Sequence, residues 1–202
     1  HTTDKMVFVH SIEGGHHLLW DEVDAQFWAD RGVALDGIRF DADSDGLVSD
    51  PAVDIVVELI GGYDVARRLI LRSIENGKHV VTANKALIAL HGQTLFEQAK
   101  AQGTTVSYEA AVAGGIPLIK ALREGLTANK IHSIAGIING TCNYILTKME
   151  KEGLSFEACL KEAQRLGYAE ADPAFDIEGN DTAHKLAILT TLAFGNKISA
   201  DD

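Results

Sequence analysis

The chain has 202 residues, of which 46% are hydrophobic, close to the usual globular share, so it can bury a core and wholesale disorder is excluded. It contains 29 acidic residues and 18 lysines and arginines, a net charge of -11 that repels phosphate backbones and argues against general nucleic-acid binding. The two cysteines form no CxxC pair, no apolar run reaches the ~18 residues of a membrane span, and no signal peptide is recognised. We therefore expect a soluble cytoplasmic protein without membrane or nucleic-acid partners.

An acidic segment near the start resembles part of a calcium loop. Asp41, Asp43, Asp45 and Gly46 match the opening of an EF-hand, D-x-D-x-D-G. The twelfth position of such a loop needs a bidentate Glu, and this chain has Ala52 there. We interpret the segment as a solvated acidic loop.

The first half of the chain alternates apolar runs with helical patterns. The opening predicts one strand, MVFVHSI, and one helix, HHLLWDEVDAQFWADRG. Further strands are predicted at 54–60, 78–85 and 104–112, and helices at 63–77 and at 86–103, the latter with a break or bend near Gly92. Successive strand–helix–strand units imply a parallel sheet and an α/β fold.

After Val112 the pattern becomes mostly helical. Helices are predicted at 113–126, 141–153, 155–167 and 181–195, with one strand at 129–140 and a polar loop at 168–180. We therefore place a domain boundary here, between a parallel-sheet half, residues 1–112, and a helix-rich half, residues 113–202.

Lys85 follows the strand predicted at HVVTAN. Ligands of open α/β sheets bind outside the carboxyl ends of the strands, where a lysine can hold an anion or donate a proton. A solvated lysine at the start of a helix explains the same pattern. Both interpretations stay open on position alone.

Asp181 and Lys185 are four residues apart and share a helix face. They follow a loop crowded with carboxylates that include Glu170 and Asp176. By spacing alone, a surface ion pair worth a few tenths of a kcal/mol is the better interpretation. The rest of the helix, LAILTTLAF, is strongly apolar, which favours a pair that faces a cleft.

The turn EAAVAGGIP combines small residues with paired glycines. Such a turn lets carbonyl groups point inward around a small cation or lets a ligand approach closely. A simple tight turn between a strand and a helix is, by itself, the better interpretation.

Several long motifs, in order, resemble homoserine dehydrogenase. They are DIVVELIGG, GKHVVTANKALIALHG, YEAAVAGGIPLIKALREGL, GIINGTCNYILTKMEKEG and LGYAEADPAFDIEGNDTAHKLAIL. The resemblance implies an oxidoreductase that reduces L-aspartate 4-semialdehyde to L-homoserine with NADP(H) or NAD(H), in threonine, methionine and isoleucine biosynthesis. It also implies an incomplete Rossmann-like parallel sheet in residues 1–112, an α+β substrate-binding and dimerisation domain in residues 113–202, and a homodimer.

The same resemblance assigns roles to individual residues. Lys185 is similar to the family's proton donor to the substrate carbonyl oxygen, and Lys85 to a catalytic residue at the nicotinamide and substrate. The expected substrate ligands are Glu170, Asp181 and Asp176, and Gly167 is expected to contact the cofactor. A sodium ion is expected on the turn, held mostly through backbone carbonyls, by Glu109, Val112, Gly114 and Ile116.

The opening departs from the family pattern. Gly14 and Gly15 are all that corresponds to GxGxxG, and Glu13 would repel a pyrophosphate. The chain also ends at Asp202, before the family's return to the nucleotide-binding half. We expect a central portion of such an enzyme, with the first nucleotide-binding unit altered or missing and the C-terminal return missing. The alternative is a non-catalytic binding or dimerisation module of this family.

Overall fold

The computed structural model describes residues 6–9, 38–39, 44–195 and 198. The chain divides into two compact units, His1–Leu118 and Ile119–Asp202. The boundary near residue 112 stays a prediction, since compactness alone does not show where an independently folding domain ends. The predicted helix near the start, the Glu13–Gly15 segment, Asp41 and Asp43 lie outside the described residues.

The first unit contains a five-stranded parallel sheet in the order β2-β1-β3-β4-β5. The strands are β1 (Met6–Val9), β2 (Ile38–Arg39), β3 (Ile55–Glu58), β4 (His79–Thr82) and β5 (Val106–Ser107). The predicted α/β fold with a parallel sheet is confirmed. The strand order reverses between β1 and β3, and in doubly wound sheets the ligand-binding crevice lies at that point, outside the carboxyl ends.

Three helices accompany the described strands. They are α1 (Ser44–Ser49), α2 (Asp64–Glu75) and α3 (Lys85–Gln102). The Asn84 side chain caps the start of α3 by accepting the Leu87 N–H at 3.1 Å. Of the break or bend predicted near Gly92, the break is wrong, because α3 continues through this residue. A Cβ there would lie 3.2 Å from Phe96 and 3.3 Å from Ile88, so glycine lets these side chains close over the helix.

A buried hydrophobic cluster of the first unit joins α1, β3 and α2. Its members are Leu47, Val48, Val53, Val56 and Leu69. Burying such side chains removes apolar area from water at roughly 25 cal/mol per Å². This core holds the strands whose carboxyl ends carry the polar residues described below.

The acidic segment is partly helical, which corrects the predicted solvated loop. Asp45 lies in the first turn of α1, where its carboxylate accepts from Arg68 at 2.6 Å and from Arg72 at 2.8 Å. The hydrogen bond from Arg68 is the main cause that lowers the pKa of Asp45, and the charges of both arginines lower it further. The segment forms a helix because α1 buries Leu47 and Val48 against the core while the arginines of α2 neutralise its acidic end.

The described helices of the second unit are close to those predicted. They are α4 (Leu118–Lys120), which leads into a π-helical segment (Ala121–Gly125), α5 (Gly140–Glu152), α6 (Phe156–Arg165), α7 (Ala174–Ile177) and α8 (Asn180–Phe194). Ser155 caps α6, as predicted, by accepting the Ala158 N–H. The core of the second unit packs Ile145 of α5 against Cys159 and Ala163 of α6.

Three sequence predictions are corrected. The segment 129–140 is not a strand, since none of the described residues pairs with it and a strand needs a partner for its N–H and C=O groups. The strand predicted at 104–112 shortens to β5 and continues as a 3₁₀ turn, Glu109–Ala111. The loop at 168–180 contains α7, which begins directly after Pro173.

Within the ranges described above, every helix is either too short or too polar to cross a membrane.

Candidate active site

A pocket of about 580 Å³ opens in the second unit. This volume falls in the range of pockets that hold small molecules. The ends of α5, α6, α7 and α8 meet around it. Its lining residues are Asn139, Gly140, Thr141, Tyr144, Gly167, Tyr168, Asp176, Asp181 and Lys185.

Asp181 and Lys185 form a buried ion pair in the first turns of α8. The Lys185 Nζ donates to Asp181 Oδ2 at 2.7 Å and to the Ile138 carbonyl at 2.8 Å. The Asp181 side chain is only 3% exposed and that of Lys185 is 19% exposed. The interpretation as a surface pair is therefore wrong: the pair is covered where Asn139 and the Ile138 carbonyl meet the start of α8, and the helix N-terminus favours the carboxylate.

Asn139 lies between two carboxylates at the start of α5. Its Nδ2 donates to Asp176 Oδ1 at 2.8 Å and to Asp181 Oδ2 at 2.9 Å. Its Oδ1 accepts the Cys142 N–H at 2.8 Å, which caps the helix. The reverse orientation of the amide would place its oxygen against both carboxylates, so these contacts determine which atom is the nitrogen.

Thr141 completes the surroundings of Asp176. Its Oγ1 lies 2.9 Å from Asp176 Oδ2 and 2.7 Å from the Tyr168 carbonyl. A hydroxyl has one proton, so it donates to one of these oxygens at a time. Both oxygens of Asp176 thus have a polar neighbour, which holds this carboxylate at the pocket wall.

The Cys142 thiol lies close enough to the carboxylates of the site to be affected by their charge. Its thiol donates to the Asp176 carbonyl oxygen at 3.4 Å. Burial raises the pKa of the Cys142 thiol, and the charges of Asp176 and Asp181 raise it further. The pocket lining carries two carboxylates, Asp176 and Asp181, against the one ammonium of Lys185, so this wall would favour a cationic group of a ligand.

The remaining predicted residues of the second unit differ in position. Gly167 lines the pocket with φ 78°, a conformation that favours glycine, directly after α6. Glu170 is exposed and does not line the pocket, although its backbone carbonyl accepts from Gln164 Nε2 at 3.0 Å. The structure thus brings together Asp176, Asp181, Lys185 and Gly167, but not Glu170.

In the first unit, Glu58 ties the carboxyl ends of two strands together. It is fully buried, and its Oε1 accepts from the Ile60 N–H at 2.6 Å and the Gly61 N–H at 3.0 Å. Its Oε2 accepts from the Thr82 hydroxyl at 2.6 Å. In the sheet register Glu58 pairs with Val9 of β1, so it lies at the reversal of strand order.

Lys85 begins α3 just beyond β4, so its position at the carboxyl edge is as the sequence predicts. The neighbouring Asn84 donates from Nδ2 to the Gly62 carbonyl at 2.8 Å. Gly61 and Gly62 have φ values of 76° and 67°, and a Cβ at either would meet nothing within 4 Å. This open glycine turn fits a cofactor that approaches the backbone closely at the edge of the sheet.

The residues expected to bind sodium lie on one turn after β5. Glu109 begins the 3₁₀ turn, Val112 is buried, Gly114 has φ 56° and Ile116 is exposed. The Ile116 carbonyl already accepts from the Leu118 N–H at 2.7 Å. Across the described residues, no group of three or more His, Cys, Asp and Glu side chains is arranged to hold a metal ion. Sodium binding therefore stays a prediction that depends on backbone carbonyls.

Asn139, Thr141 and Glu58 are functional residues that no sequence motif identified. Signals for two of them were present. An Asn directly before a helical pattern is a favoured N-cap, and a lone Glu inside the apolar run DIVVELI predicts a buried, hydrogen-bonded carboxylate. Besides their local hydrogen bonds, Glu58, Thr141 and Asn139 each bond to partners 24 to 42 residues away, which spacing along the chain could not reveal.

Comparison with known proteins agrees with this geometry. Residues 117–202 match the model of the family described as homoserine dehydrogenase, and residues 21–109 match its NAD binding domain. The chain is 60% identical to homoserine dehydrogenase of Pseudomonas aeruginosa over 160 residues, which are 79% of this chain and 37% of that protein. It is 60% identical to that of Neisseria gonorrhoeae over 153 residues, 76% of this chain and 35% of that protein.

A solved structure supports the same assignment. A homoserine dehydrogenase from Thiobacillus denitrificans matches with a TM-score of 0.79 and 55% identity, covering 90% of this chain and 41% of that chain. The chain thus spans about two fifths of the length of the relatives it matches. The expected family, its α/β fold and its nicotinamide-binding domain are confirmed, and the chain belongs to the homoserine dehydrogenase family of oxidoreductases.

Proposed function

We propose that the chain takes part in the NAD(P)H-dependent reduction of L-aspartate 4-semialdehyde to L-homoserine, a step of threonine, methionine and isoleucine biosynthesis. The observation that carries this proposal is the buried Asp181–Lys185 pair. Lys185 lines a pocket whose volume suits a small molecule. Membership of the homoserine dehydrogenase family supplies the reaction to which this geometry is suited.

Lys185 is the proposed proton donor. The bound nicotinamide supplies the hydride, and reduction of the aldehyde leaves negative charge on its oxygen. An ammonium in a partly buried pocket stabilises that charge and then transfers a proton to the oxygen. Asp181 and the Ile138 carbonyl orient the Lys185 Nζ at 2.7 Å and 2.8 Å, so that the proton is held at a defined point.

Carboxylates of the same unit are proposed to bind the substrate. The substrate carries an amino group that is cationic at neutral pH, and the negative wall at Asp176 and Asp181 suits it. Glu170 keeps this role only as a proposal, since its side chain is exposed outside the pocket lining. For Gly167, we propose a backbone contact with the cofactor.

The first unit is proposed to bind the cofactor at the carboxyl edge of its sheet, with Lys85 at the nicotinamide. The open turn at Gly61 and Gly62 supports this assignment. The sodium site on Glu109, Val112, Gly114 and Ile116 is proposed from the resemblance alone.

A cytoplasmic homodimer is the proposed state of the protein. Both cysteines, Cys142 and Cys159, are free, which suits a reducing compartment. Ile134 and Ile137 are 37% and 77% exposed on the segment that precedes α5, and apolar surface of this kind favours association.

The test begins with NADPH binding to the full chain, followed by turnover with and without Lys185→Gln. Glutamine can still donate a hydrogen bond to buried Asp181 but cannot transfer a proton as an ammonium does. We expect turnover to fall by about 10²–10⁴-fold. The matched control is Lys148→Gln, which removes a lysine from an i,i+4 pair with Glu152 outside the pocket lining.

Two results would contradict the proposal. One is a Lys185→Gln variant that turns over like the wild type. The other is a folded chain that binds neither NADPH nor NADH at millimolar concentration, which would favour the alternative of a non-catalytic module of the family.

A further inference from the structure

We infer that Asn139 is a positioning residue of the pocket, whose amide holds the carboxylates of Asp176 and Asp181 side by side. The catalytic consequence of this inference rests on the proposed function, but the bridge itself rests only on the geometry of the second unit.

The two hydrogens of the Asn139 Nδ2 allow it to separate two carboxylates. Two ionised carboxylates at a shared site repel each other unless a donor lies between them. The Asn139 Nδ2 carries two N–H groups, one for Asp176 at 2.8 Å and one for Asp181 at 2.9 Å. Asn139 is only 7% exposed, so water cannot readily replace these bonds.

The other end of the Asn139 amide fixes its orientation. Its Oδ1 accepts the Cys142 N–H at 2.8 Å, which attaches it to the N-terminus of α5, a helix of 13 residues. Asp176 lies on α7 and Asp181 on α8. One side chain therefore connects the starts of three helices, and rotation of the amide would break the cap together with both bridges.

Lys185 depends on the same carboxylate that Asn139 holds. Its ammonium and the Asn139 amide share the same oxygen, Asp181 Oδ2, at 2.7 Å and 2.9 Å. The position of Asp181 thus decides where the ammonium lies. A shift of this carboxylate would move the proposed proton donor, and a misplacement of about 1 Å can cost about 10²-fold in rate.

A matched series of variants separates positioning from helix capping. Asn, Asp and Ser are about equally good N-caps. Asn139→Ser keeps a capping oxygen but loses the bridge. Asn139→Asp keeps the cap, removes the N–H groups and adds a third carboxylate beside two others. If Asn139 only caps α5, the wild type and both Asn139 variants should have the same kcat/KM.

We expect kcat/KM in the order wild type, Asn139→Ser, Asn139→Asp, with the serine variant reduced about 10²-fold. The control Ser155→Ala removes the cap of α6, which lowers stability without touching the pocket. Its kcat/KM should equal that of the wild type. Equal kcat/KM across the Asn139 series would overturn the inference.

A second readout does not depend on activity. Urea unfolding should show a lower midpoint for Asn139→Asp than for Asn139→Ser at neutral pH, because the aspartate adds a charge beside Asp176 and Asp181. The charged or titratable groups around the amide are Cys142 of α5, Asp176 of α7, and Asp181 and Lys185 of α8. If the wild type lacks turnover, the proposed function fails while this readout still tests the bridge. Equal urea midpoints for Asn139→Asp and Asn139→Ser at neutral pH would overturn the inferred bridge.

Discussion

Two ion pairs with the same i,i+4 spacing show how burial changes the role of a residue. Lys148 and Glu152 on α5 are 24% and 49% exposed, and such a pair contributes about 0.3–0.5 kcal/mol. Asp181 and Lys185 are 3% and 19% exposed, so removal of one partner leaves a buried charge and is strongly destabilising. For that reason Lys185→Gln, which keeps a donor, tests catalysis better than a truncation.

At the residue scale, we predict slow alkylation of Cys142. Burial, Asp176 and Asp181 raise its pKa above the ordinary value, so less thiolate is present at any pH below that pKa. The pH at which the rate of reaction with iodoacetamide reaches half its maximum should therefore be higher for Cys142 than for a free cysteine. Asp176→Asn removes one of the causes and should move the midpoint towards lower pH.

The measurement uses a Cys159→Ala background, so that only one thiol reacts. Cys159 is 0% exposed in the core of the second unit, and alanine keeps a small apolar side chain there. If the alkylation rate of Cys142 reached half its maximum at the pH of free cysteine or below it, the negative surroundings assigned to Cys142 would be contradicted.

At the scale of elements, the carboxyl ends of β3 and β4 are held together by side chains as well as by the sheet. Glu58 accepts from the loop that follows β3 and from Thr82 of β4. Thr82 Oγ1 in turn accepts the Asn84 N–H at 2.9 Å, just before α3 begins. This network fixes the turn at Gly61 and Gly62 and the start of α3, the two segments proposed to face the cofactor.

We predict that Glu58→Gln lowers the free energy of unfolding by about 1–3 kcal/mol. Glutamine replaces one acceptor oxygen by a donor, so either the backbone N–H groups or the Thr82 hydroxyl lose an acceptor in a buried place. Urea denaturation measures the change. The control Glu75→Gln alters an exposed residue on α2 and should stay within about 0.5 kcal/mol of the wild type; an equal effect of both changes would contradict the role of Glu58.

At the scale of the whole molecule, each unit has a core of its own, and the apolar segment before α5 stays exposed. That segment, residues 130–138, carries Ile134 and Ile137 and pairs with none of the described strands. Exposed apolar side chains, on backbone that forms no ladder with the described strands, favour association. This surface supports the proposed homodimer.

We predict that the chain sediments as a dimer at micromolar concentration and that Ile137→Glu shifts it towards the 21.7 kDa monomer. A charge at a 77% exposed position costs little in the monomer but must be desolvated in an interface. Val65→Glu is the control, since Val65 is 50% exposed on α2 of the first unit. A monomeric wild type would contradict the prediction.

Sequence alone determined the features that depend on local chemistry and periodicity. The apolar run at 54–60 and the helical spacing at 63–77 predicted β3 and α2, and Ser155 and Gly167 marked the ends of α6. The long motifs identified the family, because many residues in a fixed order rarely recur by chance. The apolar segment 129–140 misled the prediction, since its pattern suits a strand whether or not a partner exists.

Only the tertiary structure decided which polar residues meet and which are buried. Asn139 and Asp181 are 42 residues apart, and Glu58 and Thr82 are 24 apart, so their contacts depend on how helices and strands pack. The spacing of Asp181 and Lys185 was visible in the sequence, but their burial comes from the packing around α8. Periodicity reports which face of an element is apolar, whereas the strength of a charge or hydrogen bond depends on the solvent that the fold excludes.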